Sequence, residues 1–270
     1  SSAWGLGNGE NGLFEARNDL AQVQPITAAP VLGSQPSGGV LVYFGTGSYL
    51  TAVDVSSTDE QSFYAIWDKP STIGTVTKST LVEQSITSQI TKGSQKTNAD
   101  GTSTTFDFNL RTTSTNAVDY AGGKRGWYID LVSQSGESGE RILSAAQLFR
   151  DKILFLTAIP SSDSCRPGGD SWLMQMDLQS GAASSGRTFD VNRDNKIDDK
   201  DLVKTLSASG VKSTVGMSKG VVEMDTSSKI SVAEVNGLNG SIMSVGMGGG
   251  DDVVDNEIGK PILKYWQQLQ

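Results

Sequence analysis

Histidine is absent from all 270 residues. That removes the usual general base near neutral pH, every Ser-His-Asp or Cys-His arrangement, and His-bearing zinc and haem sites. Cysteine occurs once, at Cys165, so no disulfide closes within the chain and the redox compartment stays open on this ground. Basic residues are too few to dominate: 22 Lys and Arg stand against 30 Asp and Glu, a net charge of −8. Neutralising a phosphate backbone takes clustered cations, so nucleic acid is not an expected partner. No run of about eighteen apolar residues exists, so no segment reads as a membrane span. The opening Ser1 to Gly5 carries neither Met nor a signal pattern, and the chain is expected to be a cut or processed piece of a longer secreted protein.

What is present is a globular composition, 36% hydrophobic and 19% charged, with 31 Gly and frequent Ser and Thr. The apolar residues come in short β-rich runs, which predicts an all-β chain. Strands are expected at Val40 to Phe44, Phe63 to Trp67, Thr105 to Arg111, Trp127 to Leu131, Ile142 to Phe149, Ile153 to Ile159, Trp172 to Leu178, Val221 to Met224 and Lys229 to Val235. Trp172 and Met174 alternate with Leu173 and read as packing rather than ligand stacking. The Thr-rich and Ser-rich region 71–121 reads as an elaborated sheet or inserted hairpin turning at NADGTST (98–104).

One motif carries chemistry. In Asp190-Val-Asn192-Arg-Asp194-Asn-Lys196-Ile197-Asp198-Asp199-Lys-Asp201, oxygen side chains fall at loop positions 1, 3, 5, 9 and 12. An EF-hand-like calcium loop needs side-chain oxygens at 1, 3 and 5, a main-chain carbonyl at 7 and a closing carboxylate at 12. The expected Ca2+ ligands are Asp190, Asn192, Asp194, Lys196 through its carbonyl, and Asp198, with closure either by Asp201 or, directly or through water, by Asp198. Two positions depart from the standard loop. Asn195 stands where Gly usually reaches positive φ, a region Asn tolerates, and Asp201 is one methylene shorter than Glu. Ile197 is expected to anchor the loop, and a short helix to follow from Asp201 to about Ala208, ending at Gly210. The plain alternative is a solvated acidic turn.

Two segments look alike: ITAAPVL (26–32), VLVYFGTG (40–47) and SFYAIWD (62–68) against ILSAAQL (142–148), KILFLTAI (152–159) and SWLMQMD (171–177). A small-residue strand, an apolar strand and an aromatic strand ending in Asp is the build of a β-propeller blade, with the small residues near the axis.

QPITAAPVL, VYFGTGSYL, SFYAIWDKP, LFLTAIPSSDSCRPGGDSWLMQMDLQSG and the acidic loop together resemble the C-terminal domain of the PilC/PilY family of type IV pilus tip proteins. The likeness runs from about Trp4 to Asp201, and Gly259 to Leu269, with Trp266, looks like a diverged form of the family's terminal motif. It implies a modified β-propeller, of which residues 1–270 supply the C-terminal blades, and calcium at 190–201. It further implies a non-enzymatic role in adhesion, pilus assembly and twitching motility. The place would be the pilus tip or the outer envelope or periplasm of a Gram-negative bacterium. Minor pilins, an unidentified host or surface receptor and the remaining N-terminal part of the same protein would be the partners. The integrin-binding Arg-Gly-Asp of some members is missing, since Arg125-Gly126 runs into Trp127.

Other constellations are weaker. Asp163, Cys165 and Asp170 in SSDSCRPGGD read as a structural loop, because no histidine is there to activate a thiol and Arg166 alone does not. Cys165 could pair only outside the chain. GMGGGDDVVDNE, with Asp251, Asp252 and Asp255, reads as a Gly-rich acidic loop, and Asn239-Gly240-Ser241 is a sequon only in a eukaryotic secretory setting. The alternatives are a propeller enzyme of quinoprotein or hydrolase type, for which repeated Trp motifs and a vicinal cysteine pair are missing, and a dockerin-like calcium module, for which a second loop is missing.

Overall fold

The structure is a computed structural model and describes residues 12–70, 75–132, 139–161, 169–184, 186–225, 231–238 and 241–248. Its elements in chain order are β1 (Val31–Ser34), β2 (Val40–Gly45), the one-turn helix α1 (Ala52–Ser56), β3 (Ser62–Asp68), β4 (Val82–Gln84), β5 (Ile86–Ile90), β6 (Gln95–Thr97), β7 (Ser103–Thr105), β8 (Leu110–Thr113), β9 (Gly126–Asp130), β10 (Gln147–Phe149), β11 (Lys152–Leu156), β12 (Trp172–Asp177), β13 (Gly210–Lys212), β14 (Ser218–Asp225), β15 (Ser231–Gly237) and β16 (Ile242–Met247). The first sheet has the order β1-β2-β3-β9-β4, the second β10-β11-β12-β13-β8-β5, and the third β14-β15-β16; β6 and β7 form a separate hairpin. The chain is all-β. Among the described residues no helix is long and apolar enough to cross a membrane.

Strands buried on both faces read as continuous apolar runs, and SFYAIWD, KILFL and WLMQMD are of that kind. The sheets therefore stack. Tyr43, Phe63, Trp67 and Trp127 of the first sheet meet Phe155, Trp172 and Met174 of the second, and the Phe63 and Phe155 rings stack 4.1 Å apart. The opposite face of the second sheet, with Leu154, Leu173 and Val211, packs on Val235, Met243 and Val245 of the third. The outer face of the first sheet is closed by Ala16, Val76 and Leu81 over Phe44, Tyr64 and Ile66.

The two similar segments fall on β1-β2-β3 and β10-β11-β12, each an antiparallel triplet. Their first strands are shorter than expected. Residues 26–30 make one bridge, Ile26 with Gly47, and Pro30 has no N–H to extend the ladder. Residues 142–146 pass between sheets, the Ile142 N–H bonding Thr46 O of the preceding unit at 2.9 Å. That crossing needs the glycine at 45: a Cβ there would lie 2.4 Å from Ile142 Cβ. Gly45→Ala is expected to cost about 1–3 kcal/mol by overpacking this seam, measurable as a lower urea midpoint.

Two expectations for the middle of the chain are corrected. The single strand at Thr105 to Arg111 is divided between β7 and β8, with buried Phe106 and Phe108 between them. The helix from Asp201 to Ala208 does not form. A 3₁₀ turn at Asp199–Asp201 ends when Leu202 becomes extended (ψ 139). Val203 and Leu206 then exchange backbone hydrogen bonds of 2.7 and 3.1 Å around Lys204 at φ +59. Burial of Val203 and Ala208 in the core beneath holds the chain in this turn, and Gly210 opens β13 instead of ending a helix. The turn expected at NADGTST does form, closed by Asn98 N–H to Thr102 O at 2.8 Å between β6 and β7.

Candidate metal centre

Residues 188–190 leave the third sheet as an added edge: Phe189 bridges Met247, and Asp190 N–H bonds Gly246 O at 2.9 Å. Phe189 and Val191, both fully buried, insert between the second and third sheets. Alternation along this extended stretch then turns Asp190 the other way, into the loop. Anchoring comes from these two residues more than from Ile197, which is half-buried against Gly248.

Within the loop the acidic oxygens organise the backbone. Asp190 Oδ1 accepts from Asp194 N–H at 3.2 Å and Oδ2 from Asn195 N–H at 3.0 Å. Asn192 Oδ1 accepts from Asp194 N–H at 3.1 Å, and Asp194 Oδ1 from Lys196 N–H at 2.9 Å. Asn192 Nδ2 also donates to Asp194 Oδ2 at 3.2 Å. Arg193 and Asn195 take φ of +57 and +60, so the left-handed turn at position 6 is made by Asn. Asp201 fastens the two ends: Oδ1 accepts from Val191 N–H and Oδ2 from Asp198 N–H, each at 2.9 Å. Asp198 in turn accepts from Lys200 N–H at 2.8 Å, completing a capping box over the 3₁₀ turn. The Lys196 side chain lies in solvent.

The electrostatics are unfavourable without a countercharge. Asp201 is 2% exposed. Burial pushes its carboxyl up to about 7, helped by the charges of Asp190 and Asp194, against the lowering effect of its two backbone hydrogen bonds. Burial also raises Asp190. Carboxylate, amide and main-chain oxygens in one buried-edged loop are the donor set of a hard cation.

The hairpin β6–β7 is docked on this loop. Lys96 Nζ donates to Leu202 O at 2.7 Å and to Asp199 O. Asp107 N–H bonds Val191 O at 2.8 Å, and the Arg193 guanidinium lies 4.4 Å from the Phe108 ring centre. The expectation left this hairpin and the loop unconnected.

A different carboxylate group had no signal in the sequence. Oxygens of Asp19, Glu60 and Asp130 come within 4.8 Å of one another, brought together by the Ser62–Asp130 register of β3 and β9. Lys78 Nζ sits among them, 2.8 Å from Asp19 and 3.1 Å from Asp130, and over the Tyr128 ring. Its ammonium already fills the place a cation would take. Of the SSDSCRPGGD loop, Asp170 pairs with Lys212 at 3.2 Å, a structural role. Asp163, Cys165, Arg166, the Asn239-Gly240 pair of the sequon, Asp251, Asp252, Asp255 and Trp266 lie outside the described residues.

Comparison with known proteins agrees with this architecture. A family profile described as the PilY1 beta-propeller domain matches residues 2–105. A type IV pilus biogenesis factor PilY1 homolog of Xylella fastidiosa is 34% identical over 185 residues, covering 68% of this chain and 12% of that protein. Type IV pilus biogenesis factor PilY1 of Pseudomonas aeruginosa PAO1 is 29% identical over 214 residues, covering 74% of this chain and 18% of that protein. The crystal structure of the P. aeruginosa PilY1 C-terminal domain matches with a TM-score of 0.71 at 24% identity, over 92% of this chain and 49% of the other. The chain thus spans under a fifth of these curated relatives and about half of the solved domain. With an all-β fold begun by a repeated strand triplet and a sequence that aligns with PilY1 proteins over 68–74% of its own length, the chain belongs to the PilC/PilY family.

Proposed function

We propose that this chain is a calcium-binding portion of a β-propeller from a type IV pilus protein, acting in pilus assembly, twitching motility and adhesion without bond-breaking chemistry. The observation that carries the calcium reading is the Asp190–Asp201 loop. Asp190, Asn192 and Asp194 take backbone N–H groups on one side, and Asp201 closes the ends from a buried position. A carboxylate oxygen that accepts one N–H keeps a lone pair for a cation. Asp190, Asn192, Asp194 and the Lys196 carbonyl would hold the ion, with Asp198 and Asp201 as closing groups. When bound, calcium supplies the positive charge that Asp190 and Asp201 lack.

The pilus role rests on the PilY1 relatives, which are named as type IV pilus biogenesis factors. Minor pilins as partners, the remaining blades of the same protein, and a location at the pilus tip or in the Gram-negative envelope belong to the same reading. A surface receptor would be met by the assembled protein. Phe189 and Val191, which flank Asp190, are wedged between the second and third sheets while the loop's turn faces solvent, so the ion would act first on how these two sheets are held.

Isothermal titration of calcium into the purified chain tests this directly. One site is expected in the native sequence, weakened at least tenfold in Asp190→Ala and Asp194→Ala. Heat exchange identical in all three proteins would remove the calcium mechanism, while pilus assembly by an Asp194→Ala strain, scored by twitching, tests its link to motility.

A further inference from the structure

We propose, resting on the calcium reading above, that the β6–β7 hairpin is a flap that calcium releases. While the ion is absent, the Lys96 ammonium of the hairpin supplies part of the countercharge at the closing end of the acidic loop, so a docked hairpin and a bound ion oppose each other.

Few contacts hold the outer part of the hairpin. β6 and β7 form a two-stranded sheet joined to no other, and an isolated pair of strands is marginally stable in water. The base is fixed, since Phe106 and Phe108 are buried in the core between the second and third sheets, and Gly93 N–H to Phe106 O (2.8 Å) and Phe106 N–H to Ser94 O (3.0 Å) close the two arms. Beyond that base, the hydrogen bonds of residues 95–105 run within the hairpin, as between Gln95 and Thr105 or Asn98 and Thr104. Among the described residues Lys96 is the exception, its Nζ reaching Leu202 O at 2.7 Å and Asp199 O. A cleft of about 370 Å³ lies between β7 and the loop residues Asn192, Asp194 and Lys200. Loss of one ammonium contact therefore frees the outer hairpin without disturbing its base.

The position of that ammonium makes the contact sensitive to charge. Asp199 O and Leu202 O bracket Asp201, the buried carboxylate that fastens the ends of the loop. Burial lowers the Lys96 ammonium from its ordinary range, and the negative charges of Asp201, Asp199 and Asp198 oppose that effect, Asp201 most. Lys96 is thus held half-buried by the same carboxylates that would close around an ion. A divalent cation among Asp190, Asn192, Asp194 and the closing groups takes up that negative charge and adds like-charge repulsion. The ammonium then keeps two carbonyl partners and loses the field that offset its desolvation. Linkage makes the effect reciprocal: the factor by which calcium weakens docking is the factor by which docking weakens calcium binding.

Calcium titration and hydrogen exchange on the native chain, Lys96→Met and Lys96→Arg test the coupling. Lys96→Met is expected to bind calcium at least threefold more tightly than the native chain, while Lys96→Arg, which keeps the charge, stays near native affinity. Misfolding would weaken binding, so it cannot produce this gain. In the native chain, saturating calcium should speed exchange of the amides in residues 95–105, that of Asn98 among them, at least fivefold over chelator, and leave β11 and β12 no faster. In Lys96→Met the same amides should exchange at the fast rate with or without calcium. Equal or weaker calcium binding by Lys96→Met, or hairpin exchange in the native chain that calcium leaves unchanged or slows, would overturn the flap while the calcium site stands. Absence of calcium binding in all three proteins would remove the site and the flap with it.

Discussion

Raising the pH of the metal-free protein from about 4 to about 7 is expected to lower its thermal midpoint, the reverse of ordinary acid denaturation. The cause is Asp201, whose carboxyl titrates near 3.8 when unfolded and is pushed up to about 7 in the fold by burial. Between those values the folded state keeps a proton that the unfolded state has released, so stability is fully present below the unfolded pKa and is lost as pH rises. Three units correspond to at most about 4 kcal/mol. Burial raises Asp190 as well, which adds in the same direction. Asp54 and Asp100 are held below their usual range by hydrogen bonds to their loops, so their opposite effect falls below about pH 4 and leaves the window clear. Scanning calorimetry in chelator at half-unit pH steps would record the slope. Asp201→Asn should flatten it. Saturating calcium should abolish it in the native sequence, because the ion stabilises the ionised form and adds mass action on the folded state. A midpoint that climbs steadily from pH 4 to 7 without metal would contradict the burial of a carboxylate at this position.

Glu140→Ala is expected to destabilise the chain by about 3–5 kcal/mol, as removal of one member of a buried ion pair does. Arg111 Nη1 and Nη2 meet Glu140 Oε1 and Oε2 at 2.6 and 2.7 Å, and neither side chain has any exposure. The Arg111 guanidinium also lies 3.9 Å from the Trp172 ring centre. Arg111 stands on β8 and Glu140 on the connection that leads from the first sheet into the second, so the pair fixes where that connection crosses. With Glu140 truncated, a guanidinium is left buried between two sheets without its counterion. Replacing both partners at once, Arg111→Met with Glu140→Leu, should recover much of the loss, because two desolvated charges are then removed together. Urea denaturation of the two single variants and the pair forms a double-mutant cycle. A coupling near zero would show that the crossing is held by apolar packing alone.

Much of the architecture is written in local patterns. Phe63 to Trp67 and Trp172 to Leu178 are apolar on both faces, and such runs have few places to go except the middle of stacked sheets. The acidic loop is equally local: Asp190, Asn192, Asp194 and Asn195 act on one another within six residues, so their spacing already contains the turn that they make. Where sequence reading failed, a distant partner decided. Residues 201–208 have the composition of a short helix, but burial of Val203 and Ala208 in the core between the second and third sheets holds them in a turn instead. Ile142 to Ala146 reads as a strand, yet its first N–H is claimed by Thr46 of the previous unit. Strand β16 does alternate, with Met243, Val245 and Met247 buried, but what makes it a strand of this sheet is pairing with β15 on one side and Phe189 on the other.

The amino-acid order by itself determined the β class, the repeated strand triplet, the hairpin turn at 98–104 and the oxygen spacing of the acidic loop, because each depends on residues a few positions apart. Tertiary structure alone decided that Arg111 finds Glu140, that Lys96 holds the hairpin against the loop, and that Lys78 fills the Asp19–Asp130 cluster. These contacts join residues 29 to 106 positions apart. Side-chain periodicity marks which face of a strand is buried, but not which strand will lie against it.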